Sequence, residues 1–296
     1  MRTTLVTLGA RGNCAEPAEG GHGTPCPYTM SPRRLGQHFL ADAGWRARIL
    51  QTLRVAPGQT WLEIGAGHGE MTRELVRAGA GVVAVELDAP LVERLRTLAA
   101  ETPNIEVLAG DILALEFAAI EAAARGAGAS FDRIHVYGSL PYYITSPILH
   151  RLFTWSAHIE SIHVVIQREV AERLVARPGG REFGYLSAAT QFYARPEITL
   201  RLPPGAFRPP PRVASALVAM RLPGGGASLG MEDDAAFLRF LHVCFAHKRK
   251  TLTNNLRALS SPVEVATWLA TAGLKRDVRA EQLTLEQFAA LFHLAL

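Results

Sequence analysis

The chain has 296 residues, 48% of them hydrophobic and 20% charged, and a formal net charge of +4. That length holds one full α/β domain and a smaller second one, and the composition excludes a disordered or fibrous protein. Three scattered cysteines (Cys14, Cys26, Cys244) exclude a disulfide framework and a paired metal site, and no apolar run reaches the roughly 18 residues that span a bilayer.

Residues 1–30 are rich in glycine, proline and small polar residues, with no sustained apolar period and no signal-like stretch, so a disordered extension is expected there. A monomeric, cytoplasmic protein that does not bind membranes is expected. Folding should begin near Ser31, and an amphipathic helix follows from Trp45. Apolar runs at 60–64, 82–86, 105–108, 134–137 and 162–166 predict strands, and helical spacing fills 70–79, 89–100, 146–155 and 168–176. Strands alternating with helices predict an α/β fold with a doubly wound, mostly parallel sheet over 31–222. Another strand is expected over Val213–Leu222. Pro223-Gly224-Gly225-Gly226 opens an expected linker over 223–233, and helical spacing alone continues through 234–246, 248–259, 262–272 and 284–294, a small helical domain over 234–296.

The first chemical signal is Trp61-Leu62-Glu63-Ile64-Gly65-Ala66-Gly67-His68-Gly69, a strand entering a glycine-rich turn before a helix. Glycines there let the backbone approach a ligand at the carboxyl edge of the sheet, where doubly wound folds bind nucleotides. The dinucleotide fingerprint needs glycine at position 70, which is Glu70; the GxGxG spacing instead resembles motif I of class I methyltransferases. The second strand ends in Glu86, whose carboxylate can accept both ribose hydroxyls of an adenosine. The third leads into Gly110-Asp111-Ile112, placing a carboxylate for an adenine amino group and Ile112 against the ring. S-adenosylmethionine is the expected cofactor, held by Gly65, Gly67, Glu86, Asp111 and Ile112.

The fourth strand ends in Gly138-Ser139-Leu140-Pro141-Tyr142, which resembles the Asn-Leu-Pro-Tyr motif of the KsgA/RsmA and Erm ribosomal RNA adenine methyltransferases. The resemblance extends over residues 33–296. It includes Arg33-Arg34-Leu35-Gly36-Gln37-His38-Phe39-Leu40, similar to the family's cofactor lid, and Gln167–Arg173 with Phe183–Ser187. It also includes Pro203–Val213 and the basic run His247-Lys248-Arg249-Lys250-Thr251. The last two segments favour the KsgA/RsmA family. What the resemblance implies is N6-dimethylation of two adjacent adenosines in a hairpin near the 3′ end of 16S ribosomal RNA, during ribosome biogenesis.

The resemblance also implies roles. Ser139 and the Leu140 backbone would accept from the target amino group, with Pro141 shaping the turn, while Tyr142 and Phe207 stack on either face of the target base. His38, Leu40 and Ser139 would line the cofactor. Arg33, Arg34, Lys248, Arg249 and Lys250 would contact RNA, with the assembling small subunit as partner. Transfer of this kind rests on proximity and orientation, so no metal is required. Without the resemblance, Phe207 reads as a core or loop anchor, and Lys248–Lys250 as a solvated helix start. The basic segments 31–54 and 195–221 fit a polyanionic partner or a solvated basic surface equally well.

Two positions depart from the motifs. His38 stands where the family's lid carries asparagine, and Ser139 stands where the catalytic motif carries it, which motivates the alternative of a catalytically weakened assembly factor. Tyr143 also stands where asparagine is frequent.

Overall fold

The computed structural model describes residues 38–127 and 133–295. The expected extension 1–30, with Arg33, Arg34, Gly36 and Gln37, lies outside the described residues. Among those described, no helix is long and apolar enough to cross a membrane.

Alternating strands and helices build the first part of the chain. In order they are β1 (Phe39–Leu40), α1 (Ala43–Leu53), β2 (Thr60–Ile64), α2 (Glu70–Arg77), β3 (Gly81–Glu86), α3 (Ala89–Glu101), β4 (Ile105–Ala109), α4 (Phe117–Gly126), β5 (Ile134–Ser139), α5 (Thr145–Thr154), β6 (Ile159–Gln167), α6 (Arg168–Leu174), α7 (Tyr185–Tyr193), β7 (Arg195–Leu202), β8 (Phe207–Arg208) and β9 (Ser215–Arg221). The main sheet has seven strands in the order β4-β3-β2-β5-β6-β9-β7. The first five pair in parallel; β9 pairs antiparallel with β6 and with β7. This is the expected mostly parallel α/β fold, doubly wound about the β2–β5 junction, where the direction of strand order reverses and a crevice opens at the carboxyl ends.

Every residue of β2 and β3 is buried, as befits central parallel strands covered on both faces. One face packs Leu62, Ile64, Val83, Val136 and Val164 against α4 and α5. The other packs Trp61, Val82, Tyr137 and Leu217 against α1 and α2. Asp42 caps α1 by accepting from the Trp45 amide at 2.9 Å, while Arg46 donates to the Leu40 and Ala41 carbonyls at 3.1 and 2.7 Å. Part of the basic charge in segment 31–54 thus fixes the entry strand.

Helices α8 (Asp234–Cys244), α9 (Leu252–Leu256), α10 (Pro262–Thr271) and α11 (Leu285–Ala295) follow. Their core includes Phe237, Phe240, Leu241 and Phe288, and also Phe183, Ala188 and Phe192 from around α7. The segment expected as a linker packs closely on α7: a Cβ on Gly224 would lie 2.3 Å from the Ala194 nitrogen, and one on Gly226 would lie 2.5 Å from the Phe192 ring. Only glycine fits there. The helix expected over 248–259 is shorter and starts at Leu252, because residues 247–250 form a turn closed by the Lys250 amide on the His247 carbonyl at 3.0 Å. Buried Asn255 then donates to the Cys244 carbonyl at 2.6 Å and ties α9 to α8.

Candidate active site

The glycine loop between β2 and α2 needs backbone that only glycine adopts freely: Gly65, Gly67 and Gly69 have φ of +69°, +58° and +78°. Its shape is fixed from the neighbouring strand. The Gly65 amide donates to the Val85 carbonyl at 2.9 Å, and the Gly67 amide donates to Glu86 Oε2 at 2.8 Å. Glu86 Oε1 accepts from the Leu87 and Asp88 amides at 2.8 and 3.0 Å. Glu86 is buried, and three of the roughly four acceptor positions of its carboxylate are filled by the protein. One position remains for a ligand hydroxyl, where two ribose hydroxyls were expected.

Beneath the loop lies Glu63, also buried, whose carboxylate accepts from Thr72 Oγ1 at 2.6 Å. Burial pushes its carboxyl up to about 8, against the lowering effect of the Thr72 hydrogen bond. The sequence pattern gave no signal for this group beyond its place in the glycine-loop strand.

At the next strand end, Asp111 Oδ1 accepts from the Leu113 amide at 2.9 Å, a local turn that aims the carboxylate. Ile112 is 4% exposed and belongs to the core, so it offers a ligand little surface in this arrangement.

β5 delivers Ser139 beside the loop. A Cβ built on Gly65 would meet only the Ser139 carbonyl, in van der Waals contact at 3.9 Å, so the loop runs beside the end of β5, the strand paired with β2. Ser139 is half-buried. The Leu140 side chain is buried, and its amide donates to the Val165 carbonyl at 3.1 Å. The Pro141 carbonyl accepts from the Ile144 amide at 3.2 Å and from Thr145 Oγ1 at 3.3 Å, which closes a 3-10 turn over Tyr142–Ile144. The half-buried Tyr142 places its hydroxyl 2.7 Å from Ser215 Oγ at the start of β9; burial raises its phenol, and the Ser215 hydrogen bond offsets part of that rise. Ser215 was not anticipated, since a single serine carries no spacing signal.

The entry strand closes over the loop. β1 pairs antiparallel with β8, Leu40 opposite Phe207. The Phe39 ring sits 3.2 Å from where a Gly67 Cβ would be, and its centroid lies 4.7 Å from that of His68. His38 Nδ1 lies 2.7 Å from the Pro209 carbonyl, and its ring lies 5.9 Å from Tyr142. Residues 38–40, the loop and the Tyr142 turn are therefore brought together as expected. Phe207 departs from expectation: it is 1% exposed, packed in the core with Ala206 and Leu217, and a ring so enclosed has no free face for a base.

The cations of 248–250 gather company that the linear sequence did not reveal. Lys248 Nζ donates to the Arg181 carbonyl at 2.8 Å, the Leu252 amide to Val278 at 2.8 Å, and Thr253 Oγ1 to the Arg276 carbonyl at 2.9 Å. Loops 177–181 and 275–279 are thereby stitched to the 248–253 segment, which overlaps the 247–250 turn. They present Arg177, Arg181, Arg249, Lys250, Arg276 and Arg279 to solvent.

A family model described as ribosomal RNA adenine dimethylase matches residues 31–295. The ribosomal RNA small subunit methyltransferase A of Koribacter versatilis is 38% identical over 265 residues, covering 88% of this chain and 93% of that protein. The protein of the same name from Acidobacterium capsulatum is 41% identical over 260 residues, covering 88% and 89%. Among solved structures, the 23S rRNA methyltransferase ErmE is 27% identical with a TM-score of 0.62, covering 86% of this chain and 98% of that one. A dimethyladenosine transferase from Plasmodium falciparum shares the fold with a TM-score of 0.67 at 20% identity, covering 86% and 96%. With the matched region reaching from the entry segment through the last helix, this chain is a methyltransferase of the ribosomal RNA adenine dimethylase family.

Proposed function

We propose that the chain transfers methyl groups from S-adenosylmethionine to N6 of two adjacent adenosines in a hairpin near the 3′ end of 16S ribosomal RNA, as the name of its 38–41% identical relatives suggests for the small subunit. The observation that carries this most is the convergence of the glycine cradle, Glu86, Asp111 and the Ser139–Tyr142 turn on one crevice. The residues present fit the cofactor. The glycine loop lies beside Ser139, with only the Ser139 carbonyl within 4 Å of where a Gly65 Cβ would be, and the Glu86 and Asp111 carboxylates each keep an acceptor position for a hydroxyl or amino group.

When bound, S-adenosylmethionine supplies an electrophilic methyl group. The chain's own residues bind and orient. Tyr142, held by Ser215, offers a ring to a base that has left its stack. The Ser139 hydroxyl can accept from the target amino group and orient its lone pair, a contribution of proximity rather than of acid–base chemistry. The three stitched loops form a basic surface suited to an RNA backbone, where phosphate contacts position the substrate without reading its sequence. On this proposal the helical region 234–295 serves RNA binding and the sheet domain serves transfer.

Labelled S-adenosylmethionine incubated with small subunits lacking the modification tests this directly. Label in adjacent N6,N6-dimethyladenosines of the small subunit supports the proposal. Label in large-subunit RNA points to an Erm-like activity, and binding without label points to an assembly factor weakened at Ser139.

A further inference from the structure

Tyr143 is the one residue of the Tyr142–Ile144 turn whose ring the protein leaves out. It is 64% exposed, and among the described residues no hydrogen bond, ion pair or ring contact engages it. Its neighbour contrasts sharply: Tyr142 is half-buried and bonded to Ser215 at 2.7 Å. The backbone that carries Tyr143 is nonetheless tied down by hydrogen bonds: the Pro141 carbonyl accepts from both the Ile144 amide and Thr145 Oγ1, and Thr145 is buried as the first residue of α5. A large aromatic ring displayed on a fixed turn, one residue beyond the group that faces the target base, is placed to meet substrate.

Geometry separates the two rings. In a 3-10 turn successive side chains diverge by about 120°, since there are about three residues per turn. Tyr143 therefore does not share the base that Tyr142 faces. A flipped target leaves its neighbour with one stacking face exposed, and the unstacking is part of the cost of reaching the reacting atom. An aromatic ring at the rim restores that face for any base, because every base has a π surface.

The geometry points to Tyr143 as a substrate-binding residue that stacks on the nucleobase adjoining the target adenosine, steadying the RNA while the target is out of its helix. This rests on the proposed RNA substrate. It adds a contact to binding and leaves the transferring groups untouched.

Steady-state methylation of undermethylated small subunits by the wild type, Tyr143→Phe and Tyr143→Ala, with melting temperature and S-adenosylmethionine affinity measured for each, tests it. Tyr143→Ala should raise KM for the subunits by roughly 5- to 150-fold, the range for one base–aromatic stack, with kcat, melting and cofactor affinity near wild type. Tyr143→Phe should restore the wild-type KM, because the ring and not the hydroxyl acts. An unchanged KM in Tyr143→Ala overturns the inference, and so does a Phe variant as impaired as Ala. A structural role would instead lower melting or kcat. If the wild type itself fails to methylate the subunits, the proposed function is wrong and this inference falls with it; if the wild type methylates and the three proteins are equal, only the inference falls.

Discussion

Gly67 and Glu86 are joined across the ends of β2 and β3: the glycine amide donates to the carboxylate at 2.8 Å, in a buried setting. The acid expected to accept ribose hydroxyls therefore also holds the glycine loop. A glutamine at position 86 keeps one carbonyl oxygen but turns an NH2 toward amide donors, so at least one charge-assisted bond is lost. Each is worth about 1.5–3 kcal/mol. Glu86→Gln is expected to weaken S-adenosylmethionine binding by at least about tenfold and to lower the melting temperature, both measurable by titration calorimetry and thermal unfolding. Undiminished affinity would show that the carboxylate is dispensable to the loop.

Ser139 offers a hydroxyl that is shorter than an amide and accepts from a different direction. Losing one preorganised polar contact in an active site costs on the order of a hundred- to a thousandfold in rate. Ser139→Asn should therefore raise the single-turnover methylation rate, by up to about a hundredfold, and Ser139→Ala should lower it further, with cofactor affinity little changed in either. Equal rates in all three proteins would remove Ser139 from the role of acceptor.

Glu63 and His163 set opposite limits on stability against pH. Burial raises the Glu63 carboxyl to about 8, so the folded state keeps a proton that the unfolded chain has lost. Its contribution is full below about pH 4.5 and is lost as pH rises toward 8. Glu63→Gln, which can still accept from Thr72, should flatten this alkaline decline and exceed the wild type in stability at pH 8. Denaturant unfolding across pH 5–9 measures it; an unaltered slope would mean Glu63 is ionised throughout.

His163 behaves in the other direction. Burial, then the charges of His135 and Arg221, lower it to about 4. It bonds through Nε2 to Ser161 Oγ at 3.0 Å, and Ser161 in turn contacts His135 Nδ1 at 2.8 Å. The unfolded chain takes up the proton near its ordinary value of 6.5, so stability is lost as pH falls from about 6.5 to 4. Replacing His163 with asparagine should make this acid limb shallower, as followed by unfolding between pH 4 and 7.

Charge reversal at Lys248, Arg249 and Lys250 should weaken RNA binding broadly and flatten its salt dependence, by about 0.9 in the logarithmic slope for each duplex phosphate contact removed. S-adenosylmethionine affinity should stay near wild type, since the cradle is built by β2, β3 and β5. A binding isotherm at three salt concentrations separates the effects, and an equal loss of cofactor affinity would contradict this division of labour.

The central strands were legible because burial on both faces writes a continuous apolar run: 60–64, 82–86 and 105–108 were expected, and β2, β3 and β4 lie at 60–64, 81–86 and 105–109. α4, rich in alanine, and α7, whose sequence reads as part of a motif, gave no clear period and were not anticipated. β7, at the sheet edge with alternating exposed charge, was likewise missed. The site was legible where a motif has a backbone reason, as with the three glycines at positive φ. What depends on tertiary closure was not: the Tyr142–Ser215 bond, the burial of Phe207, and the stitching of Arg181 and Arg276 to the 248–253 segment all join residues far apart in the chain.

The most direct measurement is mass spectrometry of the nucleosides and RNA fragments from undermethylated small subunits treated with this protein and S-adenosylmethionine. The expected result is N6,N6-dimethyladenosine at two adjacent positions of one hairpin near the 3′ end of the small-subunit RNA, and none in large subunits treated alike. Methylation confined to large-subunit RNA, or none at all from a folded protein that binds the cofactor, would contradict it.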